Sequence, residues 1–514
     1  MTLSVRELVK KNSKNYPDKT WLFSPVTGKE ITWKNASFIA QNIAENLTLL
    51  GLQKGDSVGI AAHNSIGACL AFLGITYGGF LATPLNLVSG HKAIKYVIEH
   101  SKLKFLILSD TSKNLIHEAL KDSDTPIKIL HLDPDKGPLF TNLADDKVKN
   151  LKVNDIKESD PGLLMYTSGT TGKPKGVILS HLNLISSGQN VVNAHCIDHH
   201  DRAMCILPIY HINGLCVTVM GTMVSASGLV MPYKFSLRNF WAEVYRFDCS
   251  WFSAVPTLFS YLINDEKNVK IDLKRLRFAR SASAPLAPEI HRRFESRFGI
   301  PIIETMGLTE TGAQILSNPM SPKKRKIGSA GQGVGNEIRI SGPDLTTLDA
   351  NIVGEILVRG PNVMKGYLNQ PEETAETITP DLWLRTGDLG YMDDDGFVFV
   401  TGRIKELIIK GGENIAPREI DEVLLLHEDI LEAAAFAVPC KSYGERVEAC
   451  VILKSRRMLT EIQILEFCQS KLGNFKSPDR IHFKENLPKG PSGKIQRLKL
   501  FEYVYKNNDA NLTK

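Results

Sequence analysis

Residues 166–176 read Tyr166-Thr167-Ser168-Gly169-Thr170-Thr171-Gly172-Lys173-Pro174-Lys175-Gly176, with four small hydroxyl side chains, three glycines and two lysines in eleven positions. Those residue types in one short stretch make a loop for an anion. Glycine lets the backbone approach phosphate oxygens closely, and consecutive N–H groups form a cationic nest. Each hydroxyl can add a hydrogen bond to a charged group, worth roughly 1.5–3 kcal/mol. The stretch is not a Walker A loop, which has four residues between its glycines and a Ser or Thr after the lysine. Here two residues separate Gly169 from Gly172, and Pro174 follows Lys173. Taken alone, the loop has a plainer alternative, a turn with surface lysines.

Further stretches with chemistry in them follow in order. Leu207-Pro208-Ile209-Tyr210-His211-Ile212-Asn213-Gly214 places a histidine about 40 residues beyond the loop. Then come Trp251-Phe252-Ser253-Ala254-Val255-Pro256-Thr257, Arg280-Ser281-Ala282-Ser283-Ala284-Pro285-Leu286 and Glu304-Thr305-Met306-Gly307-Leu308-Thr309-Glu310. The C-terminal quarter adds Arg385-Thr386-Gly387-Asp388, Gly402-Arg403-Ile404-Lys405-Glu406, Lys410-Gly411-Gly412-Glu413-Asn414-Ile415 and Lys489-Gly490-Pro491-Ser492-Gly493-Lys494. Singly, each has a plain alternative: a helix start with a satisfied histidine, a strand-to-helix turn, or a solubilising lysine.

Together, in this order and over essentially the whole chain, they resemble the adenylate-forming superfamily. Its members are acyl- and aryl-CoA synthetases, adenylation domains of peptide synthetases and beetle luciferases. The resemblance implies that 167–176 holds the phosphates of ATP and that His211, Asn213, Gly214, Val255 and Ala313 border the acyl pocket. Ser283, Ala284 and Pro285 would lie beneath the adenine, followed by Glu304, Thr305, Met306 and Gly307. Thr309 would bond a phosphate oxygen and Glu310 would hold Mg2+ through a hard carboxylate oxygen. Asp388 would chelate the ribose diol, Arg403 would face ribose and phosphate, and Lys494 would be the catalytic lysine of adenylation. Lys405 occupies the hinge position, and Gly411, Gly412 and Glu413 line the CoA path. The departure is Met306, where relatives usually stack a tyrosine; a thioether can still cover a ring face.

Among relatives the chain resembles oxalate–CoA ligases and bacterial acyl-CoA synthetases. The oxalate enzymes carry histidines where this chain has Asn213 and Ala313. Without those donors the expected acid is a fatty or aryl monocarboxylate, with oxalate or another dicarboxylate as the alternative. Two other classes stay open: an adenylating enzyme that loads a carrier-protein thiol, and a nucleotide-binding protein without turnover, hinted at by Met306.

The elements that must position these groups follow from the rest of the sequence. At 514 residues the chain exceeds what one hydrophobic core serves. The expected division is a large domain over 1–402, a hinge at 403–405 and a mobile α+β lid over 406–514. The large part reads as α/β with parallel-sheet subdomains, followed by a β-rich subdomain around 354–388. Within it, 162–165, 57–62 and 105–108 read as buried strands, and Ser180 as a helix N-cap. Ile39, Ile43, Leu47 and Leu50 share a helix face that Gly51 ends.

From Ser57 to His91 the sequence has no Asp, Glu, Lys or Arg. Its Asn, Thr, Gly and Pro residues favour a buried strand–helix–strand unit over a membrane span. The net charge of +6 suits anionic small ligands and is too diffuse for nucleic acid. The basic run 323–326 reads as a solvated loop, and 393–396 as a hairpin turn. Eight scattered cysteines without CxxC, and charges throughout 3–11 in place of a secretory leader, point to the cytoplasm. His195, Cys196, His199 and His200 lack a second ligand cluster and read as a loop, not a zinc site. The oligomeric state is not legible.

Overall fold

The computed structural model describes residues 4–121, 123, 125–140, 154–167, 173–265, 273–454, 459–490 and 494–505. Ser168, Gly169, Thr170, Thr171 and Gly172 of the phosphate loop, and Pro491, Ser492 and Gly493 before Lys494, lie outside the described residues.

The uncharged run resolves into strand Ser57–Ala61, helix Ile66–Tyr77 and strand Leu81–Pro84. Every residue of that helix is buried, so it needs no polar face. It packs against helix Trp33–Leu49 so closely that a Cβ at Gly74 would meet the Ile43 side chain at 2.4 Å. The flanking strands pair in parallel with each other, and Ser57–Ala61 pairs in parallel with Phe105–Leu108 on its other side, as expected of a fully buried sheet. No helix among the described residues is long and apolar enough to cross a membrane.

Among these residues the strands form four sheets. The first contains the parallel unit above and ends on Pro161–Tyr166, Gly176–Ser180 and Gly366–Tyr367. Pro161–Tyr166 and Gly176–Ser180 are antiparallel, so the phosphate loop is the connection of a hairpin. Ser180 then caps helix His181–His195 in a reciprocal pair with Asn183. The second sheet carries Trp251–Ala254, Phe278–Ser281 and Ile302–Leu308 as parallel neighbours at its centre. Parallel strands deliver the loops that follow them to one edge, where open α/β sheets bind ligands.

The third sheet, Glu337–Ser341, Gly354–Arg359, Leu384–Met392 and Val398–Arg403, is antiparallel throughout. Its last turn is the expected hairpin at 393–396, and Lys326 of the basic run bonds Asp393 and Asp395 there at 2.6 Å each. That lysine is a strut, and the reading of the whole run as solvated is corrected at this position. The fourth sheet begins with Ile408–Lys410 and Glu413–Ile415, centres on Ile430–Cys440 and Gly444–Leu453, and adds Arg480–Phe483. Helices Pro417–Leu425 and Glu461–Lys476 accompany it. It has its own apolar core. The large mixed α/β part and the small C-terminal α+β part are as the sequence led us to expect.

Candidate active site

Where the central strands of the second sheet end, a cleft of about 250 Å³ opens between the large part and the C-terminal part. Strand Trp251–Ala254 delivers Val255, Phe278–Ser281 leads to Ser283, Ala284 and Pro285, and Ile302–Leu308 contributes Glu304, Thr305, Met306 and Gly307. Asp388, Arg403 and Lys494 line the same cleft. Eleven of the residues singled out in the sequence thus meet in one space.

Asp388 and Arg403 are paired residues on adjacent antiparallel strands, which sets their side chains face to face. Arg403 Nε donates to Asp388 Oδ1 at 2.5 Å and Nη2 to Oδ2 at 3.4 Å. The Asp388 carboxylate holds the guanidinium above its ordinary range, against the opposing effect of burial. Lys494 faces this pair from a stretch folded back on itself. Gly490 N–H donates to Lys494 O at 2.7 Å, and Gln496 N–H to Pro488 O at 2.8 Å. Burial, aided by Arg403, lowers the Lys494 ammonium, while Glu406 and Asp388 oppose that shift.

The anchor of this arrangement is Arg497, which no motif in the sequence indicated. It bonds Asp421 Oδ2 at 2.6 Å, Glu406 Oε2 at 3.3 Å and the carbonyl of Ala435. Arg418, Asp421 and Glu422 also reach the cleft and were likewise missed. Three charged residues on one short helix resemble any solvated face, so no sequence signal distinguishes them.

On the large domain's wall, Glu304 accepts the Leu286 N–H at 3.1 Å through Oε1, while its buried Oε2 has no partner among the described residues. Burial pushes its carboxyl up to about 7. Thr305 Oγ1 donates to Ser281 O at 3.0 Å, locking the two strands together beneath the cleft.

A second cluster gathers at the phosphate-loop edge. Tyr367 OH donates to Glu310 Oε1 at 2.9 Å, and Lys175 Nζ lies 5.0 Å from the Tyr367 ring centre while bonding Glu373. Lys173 sits over Tyr96 at 5.7 Å. Thr167 closes the hairpin by donating its N–H to Lys175 O at 2.9 Å. Thr309 opens the short 3-10 turn that carries Glu310. Tyr367 became a partner of Glu310 only because the two-residue strand Gly366–Tyr367 pairs with Gly176–Ser180. The described residues contain no group of three His, Cys, Asp or Glu side chains that could hold a metal. One carboxylate, Glu310, at the edge of the candidate phosphate loop would fit Mg2+, which takes one or two protein carboxylates and completes its shell from phosphate and water.

The acyl-pocket candidates form a third group. His211 is pushed down to about 4 by burial, so it is neutral, and its Nδ1 accepts the Asn213 N–H at 3.3 Å. Gly214 is there for space, since a Cβ would meet Pro208 O at 2.2 Å. Ala313 is buried in the second sheet, with φ 103. Asn213 Nδ2 donates to Ser283 Oγ at 3.2 Å, while its Oδ1 accepts from Arg280 Nη1 at 3.2 Å. Arg280, from the strand Phe278–Ser281, thus sets a cation against Asn213. An arginine inside an otherwise small and apolar strand was the signal available in the sequence.

Lys405 lies exposed in the turn Ile404–Glu406. Gly411 and Gly412 turn the hairpin between Ile408–Lys410 and Glu413–Ile415, with φ 60 and 86. None of Gly411, Gly412 or Glu413 lines the cleft that holds Lys494.

Comparison with known proteins agrees with this geometry. The AMP-binding enzyme family matches residues 9–368, and the C-terminal domain of AMP-binding enzymes matches 419–494. The chain is 41% identical to sulfoacetate–CoA ligase of Cupriavidus necator, over 97% of each chain. It is 35% identical to oxalate–CoA ligase of Arabidopsis thaliana, over 95% of this chain and 96% of that one. Its fold superposes on ATP-bound MatB from Rhodopseudomonas palustris with a TM-score of 0.89 at 29% identity, covering 98% and 100% of the two chains. The chain belongs to the AMP-binding enzyme family, as an AMP-forming acid–CoA ligase.

Proposed function

We propose that this ligase activates a small acid at the cleft, with residues 1–402 as the binding body, 403–405 as the hinge and 406–514 as a lid that serves two half-reactions. The observation that carries this reading is the placement of Lys494 in one cleft with Asp388 and Arg403, whose charges it feels, which suits the adenylation step. Asp388 and Arg403 receive the ribose, the 283–285 loop and Met306 cover the base, and Lys173 and Lys175 meet the terminal phosphates beside Thr167. Bound Mg2+, held by Glu310, would neutralise phosphate charge.

In the first step a carboxylate oxygen of the acid attacks the α-phosphorus and pyrophosphate leaves. Such transfer asks for positioning and charge stabilisation, which the ammonium of Lys494 offers to the reacting phosphate and carboxylate. In the second step the CoA thiolate attacks the acyl carbon and AMP departs. The Gly411–Gly412 turn lies off the cleft, so its use in that step requires the lid to rotate about Lys405. Relatives named for sulfoacetate and oxalate favour a small polar acid over the fatty or aryl acid expected from sequence. Eight free cysteines, six of them buried, suit a cytoplasmic enzyme.

The test is ATP–pyrophosphate exchange with a panel of carboxylic acids, followed by product analysis with CoA and with carrier-protein thiols. AMP, pyrophosphate and a CoA thioester are expected. ADP as the stoichiometric product, or transfer to a carrier thiol alone, overturns the reading.

A further inference from the structure

Arg280 is 1% exposed, on the central strand Phe278–Ser281. A buried guanidinium ordinarily comes with a carboxylate, because taking the charge out of water costs more than neutral partners return. Here all three partners are neutral. Nε donates to Gln314 Oε1 at 3.1 Å, and Nη1 donates to Ser253 Oγ at 3.1 Å and Asn213 Oδ1 at 3.2 Å. No carboxylate among the described residues forms an ion pair with it, and desolvation is what lowers its pKa, to about 9. It therefore remains a cation at neutral pH.

Arginine has five N–H donors, of which these contacts use three. The two on Nη2 donate to none of the described residues, and Nη2 is not among the atoms sealed off without a partner. Asn213 bonds Arg280 through Oδ1 and Ser283 through Nδ2, at 3.2 Å each, and Ser283 lines the cleft. Asn213 thus links the guanidinium to a residue of the cleft wall.

We infer that Arg280 is the counter-ion for a second anionic group on the substrate, so that the enzyme selects short acids bearing a carboxylate or sulfonate besides the carboxylate that is adenylated. Asn213, Ser253 and Gln314 hold the guanidinium plane without neutralising it, leaving the charge for the ligand. A long alkyl chain would leave the cation buried and unpaired. This inference rests on the acid–CoA ligase reading and adds the substrate class and the residue that determines it.

The experiment measures kcat/KM in ATP–pyrophosphate exchange for sulfoacetate, oxalate, malonate, propionate, benzoate and octanoate, in the wild type, Arg280→Met and Arg280→Lys. In the wild type at least one acid with a second anionic group should exceed every uncharged-tail acid by about a hundredfold or more, the scale of truncating one side of a buried charge pair. Arg280→Met should erase that preference while exchange with propionate persists, and Arg280→Lys should retain part of it. A merely structural arginine would lower all acids together and leave their ratio unchanged. Preference of the wild type for an uncharged-tail acid overturns the inference without any variant, so a misfolded Arg280→Met does not shelter it. Exchange with no acid at all would instead overturn the ligase reading on which it rests.

Discussion

Lys494→Ala separates an alternating lid from a static site. The backbone bonds that shape its loop, Gly490 N–H to Lys494 O and Gln496 N–H to Pro488 O, use no side-chain atom. Arg497, three residues on, keeps its bonds to Asp421 and Glu406. The substitution therefore removes one ammonium and little else. Losing one preorganised donor to developing charge costs about 2.7–4 kcal/mol, or on the order of 10²–10³ in rate. That loss belongs to the adenylation step, measured as ATP–pyrophosphate exchange. Thioester formation from supplied acyl-AMP and CoA should stay within a few-fold of wild type. Equal loss in both half-reactions, with nucleotide affinity and tryptophan emission unchanged, would refute the proposed alternation.

Gly412→Leu should do the reverse, sparing exchange and slowing thioester formation. Its Cβ meets nothing within 4 Å in this orientation, so the cost at φ 86 is local strain of about 1–2 kcal/mol. Glu304→Gln tests the buried carboxyl. Its pKa is raised from 4.5 to about 7 on folding, so the folded state binds the extra proton and stability falls as pH rises through that window. At about 1.36 kcal/mol per unit the wild type should lose about 3 kcal/mol relative to the variant between pH 4.5 and 7. All five tryptophans precede residue 402, so their emission in urea reads this on the large domain, and a pH-independent difference would refute it. Arg497→Met strands Asp421 and should destabilise the C-terminal part by about 3–5 kcal/mol, read by hydrogen exchange over 406–505. Adding Asp421→Asn should restore part of that stability, and no recovery would count against the buried pair.

The order and spacing of short motifs were enough to recognise the reaction class, because each motif is a run of neighbouring residues whose types and spacing are legible without the fold. Local rules also governed the elements: the Ser180 cap, the helix ended before Gly51 and the uncharged strand–helix–strand unit depend on neighbours a few residues away. Electrostatic roles were not legible in this way. Arg403 reaches Asp388 across a strand pair, Tyr367 reaches Glu310 through a two-residue edge strand, and Arg497 gathers Glu406 and Asp421 from 91 and 76 positions away. The plainest case is Arg280, present in the sequence as one basic residue among many. Only the folded chain removes its water, surrounds it with neutral oxygens and leaves two of its donors unused. Whether a charge is satisfied depends on what lies within about 4 Å after burial, and tertiary packing alone decides that.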